Sequence, residues 1–327
     1  MSNQHVISLD RAANLSMDTG RLKIEFSAIG ETRFIAACDI AVLILAHPCI
    51  RLSIGVLREL AQNGAVIVTA GEKYTPCAIS LPLGVNAEGA RRPHLQAKYA
   101  GLQEPGLWWA QLVCAKILGQ ARVSELFDPD LAARLRLIAK RVEPGDATCC
   151  EAHAAQVYWD GFFAQFNNTA GFRDKQGAVD PVNVSLNYGY AVLRAIIARS
   201  LVAAGLCLNL GVGHSRKDNP FNLADDFIEP FRFLVDGLVW RTFKEERADQ
   251  FDKEVKNRLL SSLLKNTVEI AGKEYRLFFG IDCAVNSFCL SLEDSRRKLL
   301  LPNQPLRPGK TPSASLWQAI QFQDETQ

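Results

Sequence analysis

The spacing of apolar residues changes once along this chain, near residue 90, and that change limits what the chain can fold into. Before it, LKIEFSAIG (22–30), IAVLILAH (40–47) and AVIVTAG (65–71) are short runs rich in β-branched residues, bounded by Gly, Asn-Gly or Pro. A helix is predicted over 53–63 (SIGVLRELAQN), with Asn63-Gly64 as its stop. After Pro93 the apolar residues recur at helical spacing in LWWAQLVCAKILGQARV, LAARLRLIAKRV, EAHAAQVYWDGFFAQF, SLNYGYAVLRAIIARSLVAAG and FNLADDFIEPFRFLVDGLVW. One strand-like pair, TVEIAGKEYRLFF, comes late. The expected fold class is α+β. A small β-rich N-terminal domain covers 1–85, a linker 86–93, and a larger α-helical domain 94–327, packed as one bundle.

Other features narrow the function classes. The N-terminus lacks a basic segment followed by an apolar run, so no signal peptide is expected. The longest apolar stretch, 40–46, is too short to cross a bilayer, so a cytoplasmic protein with no membrane partner is expected. Nine cysteines stand singly apart from the Cys149-Cys150 pair, and no C-x-x-C occurs, which points to reduced, buried thiols. A formal net charge of +2 advertises no polyanion, but between 85 and 141 nine Lys or Arg face five Asp or Glu. Between 295 and 310 there are five basic residues and no acidic one. Such stretches are solvated faces unless a site places a phosphate chain beside them.

Three segments carry ionisable groups inside apolar text. Glu151 opens a helix with small neighbours. One reading is an acid favoured by the helix dipole, the other a half-exposed ligand. Arg194 and Arg199 lie in the most apolar helix and need a carboxylate or a phosphate. Trp108, Trp109, Tyr158 and Trp159 read as core rather than as base-stacking platforms. In GVGHSRKDNPFNLADDFIEPFRF, Asn219-Pro220 starts a helix whose buried stripe is Leu223, Phe227 and Phe231. Asp226 lies beside that stripe, and Pro230 removes the hydrogen bond to its carbonyl. His214 arrives just before this helix. A capping or salt-bridged Asp226 is one reading. A Glu, a His and an Asp from three segments converging on Mg²⁺ or Mn²⁺ is the other, imidazole favouring Mn²⁺.

These segments together resemble one family, the CRISPR-associated spacer-acquisition integrase, in the compact branch found beside single-effector systems. GEKYTPCAISLPL is similar to the end of its β-domain, WAQLVCAKILGQ to its first long helix, and DPVNVSLNYGYAVLR to its central helix. EAHAAQVYW, GVGH and NPFNLADDFIEPFR match its ligand segments. The resemblance implies Glu151, His214 and Asp226 as metal ligands and catalytic residues, with Asp225 as an auxiliary. Leu223 stands where many relatives have a second acid, and Gly213 where many have a further His. It implies a metal-dependent endonuclease and integrase that joins the 3′-hydroxyl of a short incoming DNA to a backbone phosphate at a repeat. Arg194, Arg199, Arg216 and Lys217 become candidate phosphate contacts. The implied partners are double-stranded DNA, a second copy through the β-domain, and a small adaptation protein. A nuclease acting on branched DNA, and a non-catalytic DNA-binding scaffold, are the alternatives.

Overall fold

The computed structural model describes residues 5–71, 76–82, 87–99, 102–166, 171–175 and 177–302. Strand β3 (Arg21–Phe26) shows why the first part forms sheet. Leu22 and Ile24 are buried, while Lys23 and Glu25 alternate to the other face and pair at 2.7 Å. Its antiparallel neighbour β2 (Asn14–Asp18) is reached through Thr19-Gly20. Both turn residues have positive φ (47° and 74°), the geometry that matches the twist of a two-residue hairpin. With β4 (Glu31–Ala36) and the short β6 (Arg51–Leu52) they make a sheet in the order β4-β3-β2-β6.

A second sheet runs β1 (His5–Leu9), β5 (Ile40–Leu45), β7 (Val66–Ala70), β8 (Pro76–Ser80). Its first three strands are parallel and β8 is antiparallel. Strand β5 is paired on both edges, and its residues 40–44 are all buried, which explains the unbroken apolar run IAVLIL. Helix α1 (Ile54–Gln62) brings Val56 and Leu60 into one core with Leu22, Ile24, Leu43 and Ile67.

Helix α2 (Ala87–Tyr99) contains residues 87–93, which were expected as linker; its Pro93 is accommodated inside the helix. Residue 86 of that linker, 72–75 and 83 of the GEKYTPCAISLPL segment and 303–310 of the basic stretch lie outside the described residues. The helices that follow are α3 (Glu104–Ser124), α4 (Pro129–Ala139), α5 (Cys150–Phe163), α6 (Pro181–Ala203), α7 (Asn222–Ile228) and α8 (Arg232–Lys244). Helix α9 (Lys253–Lys265) and helix α10 (Leu277–Glu293) have no counterpart among the expected helices. The late strand-like pair is a hairpin of β9 (Thr267–Ile270) and β10 (Lys273–Arg276).

The chain divides into two compact units, each built from two segments: Met1–Gly101 with Leu186–Ile228, and Leu102–Ser185 with Glu229–Gln327. In this division most of α6 and all of α7 fall in the same unit as the sheets. In the first unit Arg199 Nε donates to the Gly64 carbonyl at 2.9 Å, tying α6 to the turn after α1. In the second unit α3 supplies buried Trp108, Leu112, Val113 and Ile117, and the Tyr158 hydroxyl donates to Asp236 at 2.9 Å. Trp108, Trp109 and Tyr158 are buried, while Trp159 is partly exposed. All nine cysteines are free thiols. The expectation that they are buried needs correction: Cys150 and Cys289 are, whereas Cys38, Cys49, Cys77 and Cys149 are exposed. Among the described residues no helix is long and apolar enough to cross a membrane.

Close packing of α10 on its hairpin depends on Gly280, where a Cβ would sit 2.2 Å from Val268 Cγ2. Gly280→Ala is expected to cost about 1–3 kcal/mol, the usual range for overpacking. Urea unfolding should show this, with most of the loss recovered by adding Val268→Ala.

Candidate functional site

In the first unit, the loop of residues 211–214 wraps around one carboxylate. Asp226 on α7 is fully buried, and among the described residues this loop supplies donors to it. The backbone N–H groups of Val212 and Gly213 (3.2 Å) donate to Oδ2, and the His214 N–H (2.8 Å) donates to Oδ1. The His214 ring places Nδ1 2.7 Å from the same Oδ1. So close a wrap requires Gly211. A Cβ there would meet the His214 carbonyl oxygen at 2.1 Å and Asp226 Oδ2 at 2.8 Å. The loop is pinned on its other side by α7 and α2. Asn222 Nδ2 donates to the carbonyls of Asn209 (3.1 Å) and Arg216 (2.8 Å). Gln96 donates to the carbonyls of Cys207 and Leu210 and accepts from the Cys207 N–H at 2.8 Å.

Burial pushes the Asp226 carboxyl above its ordinary range, while the bonds from His214 and Val212 oppose that rise. With Nδ1 2.7 Å from a carboxylate oxygen, the His214 ring has its orientation set. The imidazole is about one-third exposed, so it can be approached where Asp226 cannot.

Neighbouring charges in this unit are committed elsewhere. Asp225 takes Arg194 through Nε at 2.6 Å and Nη2 at 2.9 Å, and Asn219 Nδ2 at 2.7 Å. The Arg194 guanidinium also lies 4.6 Å from the centroid of the Phe221 ring. Arg194 and Asp225, expected as a phosphate contact and an auxiliary acid, thus hold each other, and Arg199 binds backbone. Arg216 pairs with Asp218 on the surface, and Lys217 is exposed.

In the second unit, Glu151 stands in the first turn of α5. Asp146 caps that helix by accepting from the N–H groups of Cys150 (2.8 Å) and Glu151 (2.9 Å). Glu151 Oε1 receives Lys116 Nζ at 2.6 Å, and the same nitrogen lies 2.7 Å from Glu229 Oε2. Arg232 closes the row, 2.9 Å from Glu229 Oε1. Glu229 belongs to the 3-10 turn Glu229–Phe231, where Pro230 separates α7 from α8. Burial alone would raise the Glu229 carboxyl, but Arg232 and Lys116 outweigh it and hold the group at about 2. Burial alone would likewise lower Lys116, and Glu229 and Glu151 keep it charged.

Glu151 therefore lies in one unit, and His214 and Asp226 in the other. Among the described residues no group of three or more His, Cys, Asp or Glu side chains is gathered. The acids come as pairs: Asp226 with His214, and Glu151 with Glu229 about one nitrogen. The second pair fits a hard cation, because two carboxylate oxygens already face a single positive atom. Sequence reasoning assigned no role to Glu229, Lys116 or Gly211. Glu229 had a signal, an acid between apolar residues just before Pro230. Lys116 also had one, as a lysine within the apolar stripe of α3.

The depressed Glu229 gives a pH dependence of stability. Its contribution is present above the ordinary carboxyl value of 4.5 and is lost as pH falls toward about 2. Denaturation midpoints should fall across that window by the equivalent of about 3 kcal/mol, and Glu229→Gln should flatten this part of the profile.

Comparison with known proteins agrees with this fold. The family model described as CRISPR associated protein Cas1 matches residues 7–270. A curated relative from Neisseria meningitidis serogroup C (strain 8013), named CRISPR-associated endonuclease Cas1, is 33% identical over 296 residues, 89% of this chain and 93% of that one. A casposase bound to an integration product has a similar fold, with a TM-score of 0.77, 19% identity, and coverage of 97% of this chain and 98% of that one. A chain of a Cas6-RT-Cas1–Cas2 complex also has a TM-score of 0.77, at 14% identity, over 93% of this chain and 37% of that one. A match across most of the sequence, and a relative at this identity over nearly its full length, show that the chain belongs to the CRISPR associated protein Cas1 family.

Proposed function

We propose that this protein is a metal-dependent DNA endonuclease and integrase of CRISPR adaptation. The observation that carries the reading is the pair Glu151 and Glu229, both within 2.7 Å of one cationic nitrogen. Membership of the Cas1 family supports it, as do the names of the endonuclease relative and the casposase.

Glu151, His214 and Asp226 stay in the proposal, joined by Glu229. Glu151 and Glu229 supply carboxylate oxygens, and His214 stays a proposed ligand through its imidazole. Asp226, held by the loop, acts by orienting the imidazole. Such donors suit Mg²⁺ or Mn²⁺, which when bound would stabilise charge on the reacting phosphate and its leaving oxygen. In the reaction, the 3′-oxygen of a short incoming DNA forms a bond to a backbone phosphorus at the repeat boundary. The phosphorus–oxygen bond to the displaced 3′-oxygen breaks, and the proton of the attacking hydroxyl goes to solvent. One phosphodiester replaces another, so no energy-carrying cosubstrate is needed. Water in place of the hydroxyl gives endonuclease cleavage.

The proposed partners are double-stranded DNA, as spacer precursor and as repeat target, a second copy through the β-rich part, and a small adaptation protein. The Cas1–Cas2 assembly among the similar structures supports the last of these. Arg216 and Lys217, both exposed, are the better placed of the phosphate candidates, and binding should weaken with salt.

A strand-transfer assay with free 3′-hydroxyl ends and the purified partner checks this reading. Chelation should abolish product, and Mg²⁺ or Mn²⁺ should restore it. Glu151→Ala should lower the rate at least about a hundredfold with DNA binding kept. Full strand transfer by this variant would leave a scaffold role; cleavage without joining would leave a nuclease. In calorimetry, Asp226→Asn should weaken Mn²⁺ binding by about 10- to 100-fold, the range expected for an orienting carboxylate.

A further inference from the structure

We propose that Lys116 is an internal counter-ion that occupies the cation's place between Glu151 and Glu229 while the protein is free of metal. Metal entry is then an exchange of ammonium for metal. This rests on the metal site proposed above. In that exchange Lys116 is a positioning residue for the two carboxylates.

The geometry carries the argument. Nζ is 2.6 Å from Glu151 Oε1 and 2.7 Å from Glu229 Oε2, so it holds the point at which one ion would touch both. Bound Mg²⁺ takes oxygens at about 2.0–2.1 Å, so the same cradle needs to contract by only about half an ångström per oxygen. The Lys116 side chain is 11% exposed and that of Glu229 only 4%, so water screens neither well. With the ammonium removed and nothing in its place, the two carboxylates would repel. Arg232 stays on Glu229 Oε1 throughout, so one acid is never left without a cation.

The residue type also matters. An ammonium is a compact charge on a flexible stem, able to sit at one point and to withdraw; a guanidinium is planar and would span the site. Lys116 arises from α3 among buried Val113, Ala115 and Ile117, so the rigid helix fixes its root. The lysine thus does two opposed things. It keeps the acids facing each other in the metal-free protein, and it competes with the ion they bind.

The experiment compares the full-length chain with Lys116→Met and Lys116→Gln, using Mn²⁺ alone as the probe. Thermal unfolding is followed in EDTA and across a Mn²⁺ titration, and affinity is measured by calorimetry. In EDTA, Lys116→Met should unfold roughly 5–15 °C below the unaltered protein, as expected for a broken buried ion pair. It should bind Mn²⁺ about tenfold more tightly or better, and saturating Mn²⁺ should restore most of the lost stability. A lysine with a merely structural role would lower the unfolding temperature without tightening binding. Unchanged or weaker Mn²⁺ affinity in the Met variant would therefore overturn the proposal. Should that variant fail to fold in EDTA, Lys116→Gln, which keeps donors but no charge, replaces it: tighter Mn²⁺ binding supports the exchange, and unchanged or weaker binding overturns it. Mn²⁺ binding that Glu229→Gln leaves unaltered would overturn the placement of the ion while leaving a metal-dependent enzyme. Absence of Mn²⁺ binding in every variant would overturn the metal site itself.

Discussion

A lysine ammonium caught between two carboxylates, in surroundings that admit little water, joins α3, α5 and the turn before α8. Each of these charges would be costly to bury alone. Set in the alternating row Glu151, Lys116, Glu229, Arg232, each lowers the cost of its neighbour, and the row stands only as a whole. The capping of α5 by Asp146 serves the same end. It fixes the helix start from which Glu151 reaches Lys116, and the strained backbone just before it, Cys149 at φ 52°, turns the chain into that start.

The other acid is held differently. Asp226 draws its stabilisation from backbone N–H groups and one imidazole. Fixed dipoles of this kind cannot swing away as a lysine can. They hold the carboxylate in one place, and with it the imidazole it contacts. The two acids three residues apart, Asp226 and Glu229, thus have unlike surroundings, one lined by peptide groups and the other by ammonium and guanidinium.

Much of this was legible in the residues. The strands at 22–26, 40–45 and 66–70 and helices α3 to α6 follow from apolar spacing, because burial on one face imposes that spacing. The segment FNLADDFIEPFRFLVDGLVW was expected as one helix with a hydrogen bond lost at Pro230, and it is instead divided, stopping at Ile228 before a 3-10 turn. Helices α9 and α10 were not anticipated. Helix α2 was hidden because Gly89 and Pro93 read as linker, and propensity yielded to tertiary context. Among site residues, Glu151, His214 and Asp226 were visible as ionisable groups in apolar text. Glu229 and Lys116 acquire meaning only from each other. They stand far apart in sequence, and spacing says nothing about pairs that topology creates. Arg194 and Asp225 illustrate the converse, since either could have faced DNA until their mutual contact was known.

Gln96 carries a consequence for the order in which the molecule assembles. Its amide satisfies the backbone of residues 207–210 from 111 positions upstream in the chain. Closing so wide a loop costs chain entropy before its bonds repay it, which places that contact among the later steps of folding. The same amide holds the backbone just before the loop of residues 211–214. A growing chain shorter than 207 residues holds Gln96 without the backbone groups it later binds, so this closure waits for synthesis to pass residue 210.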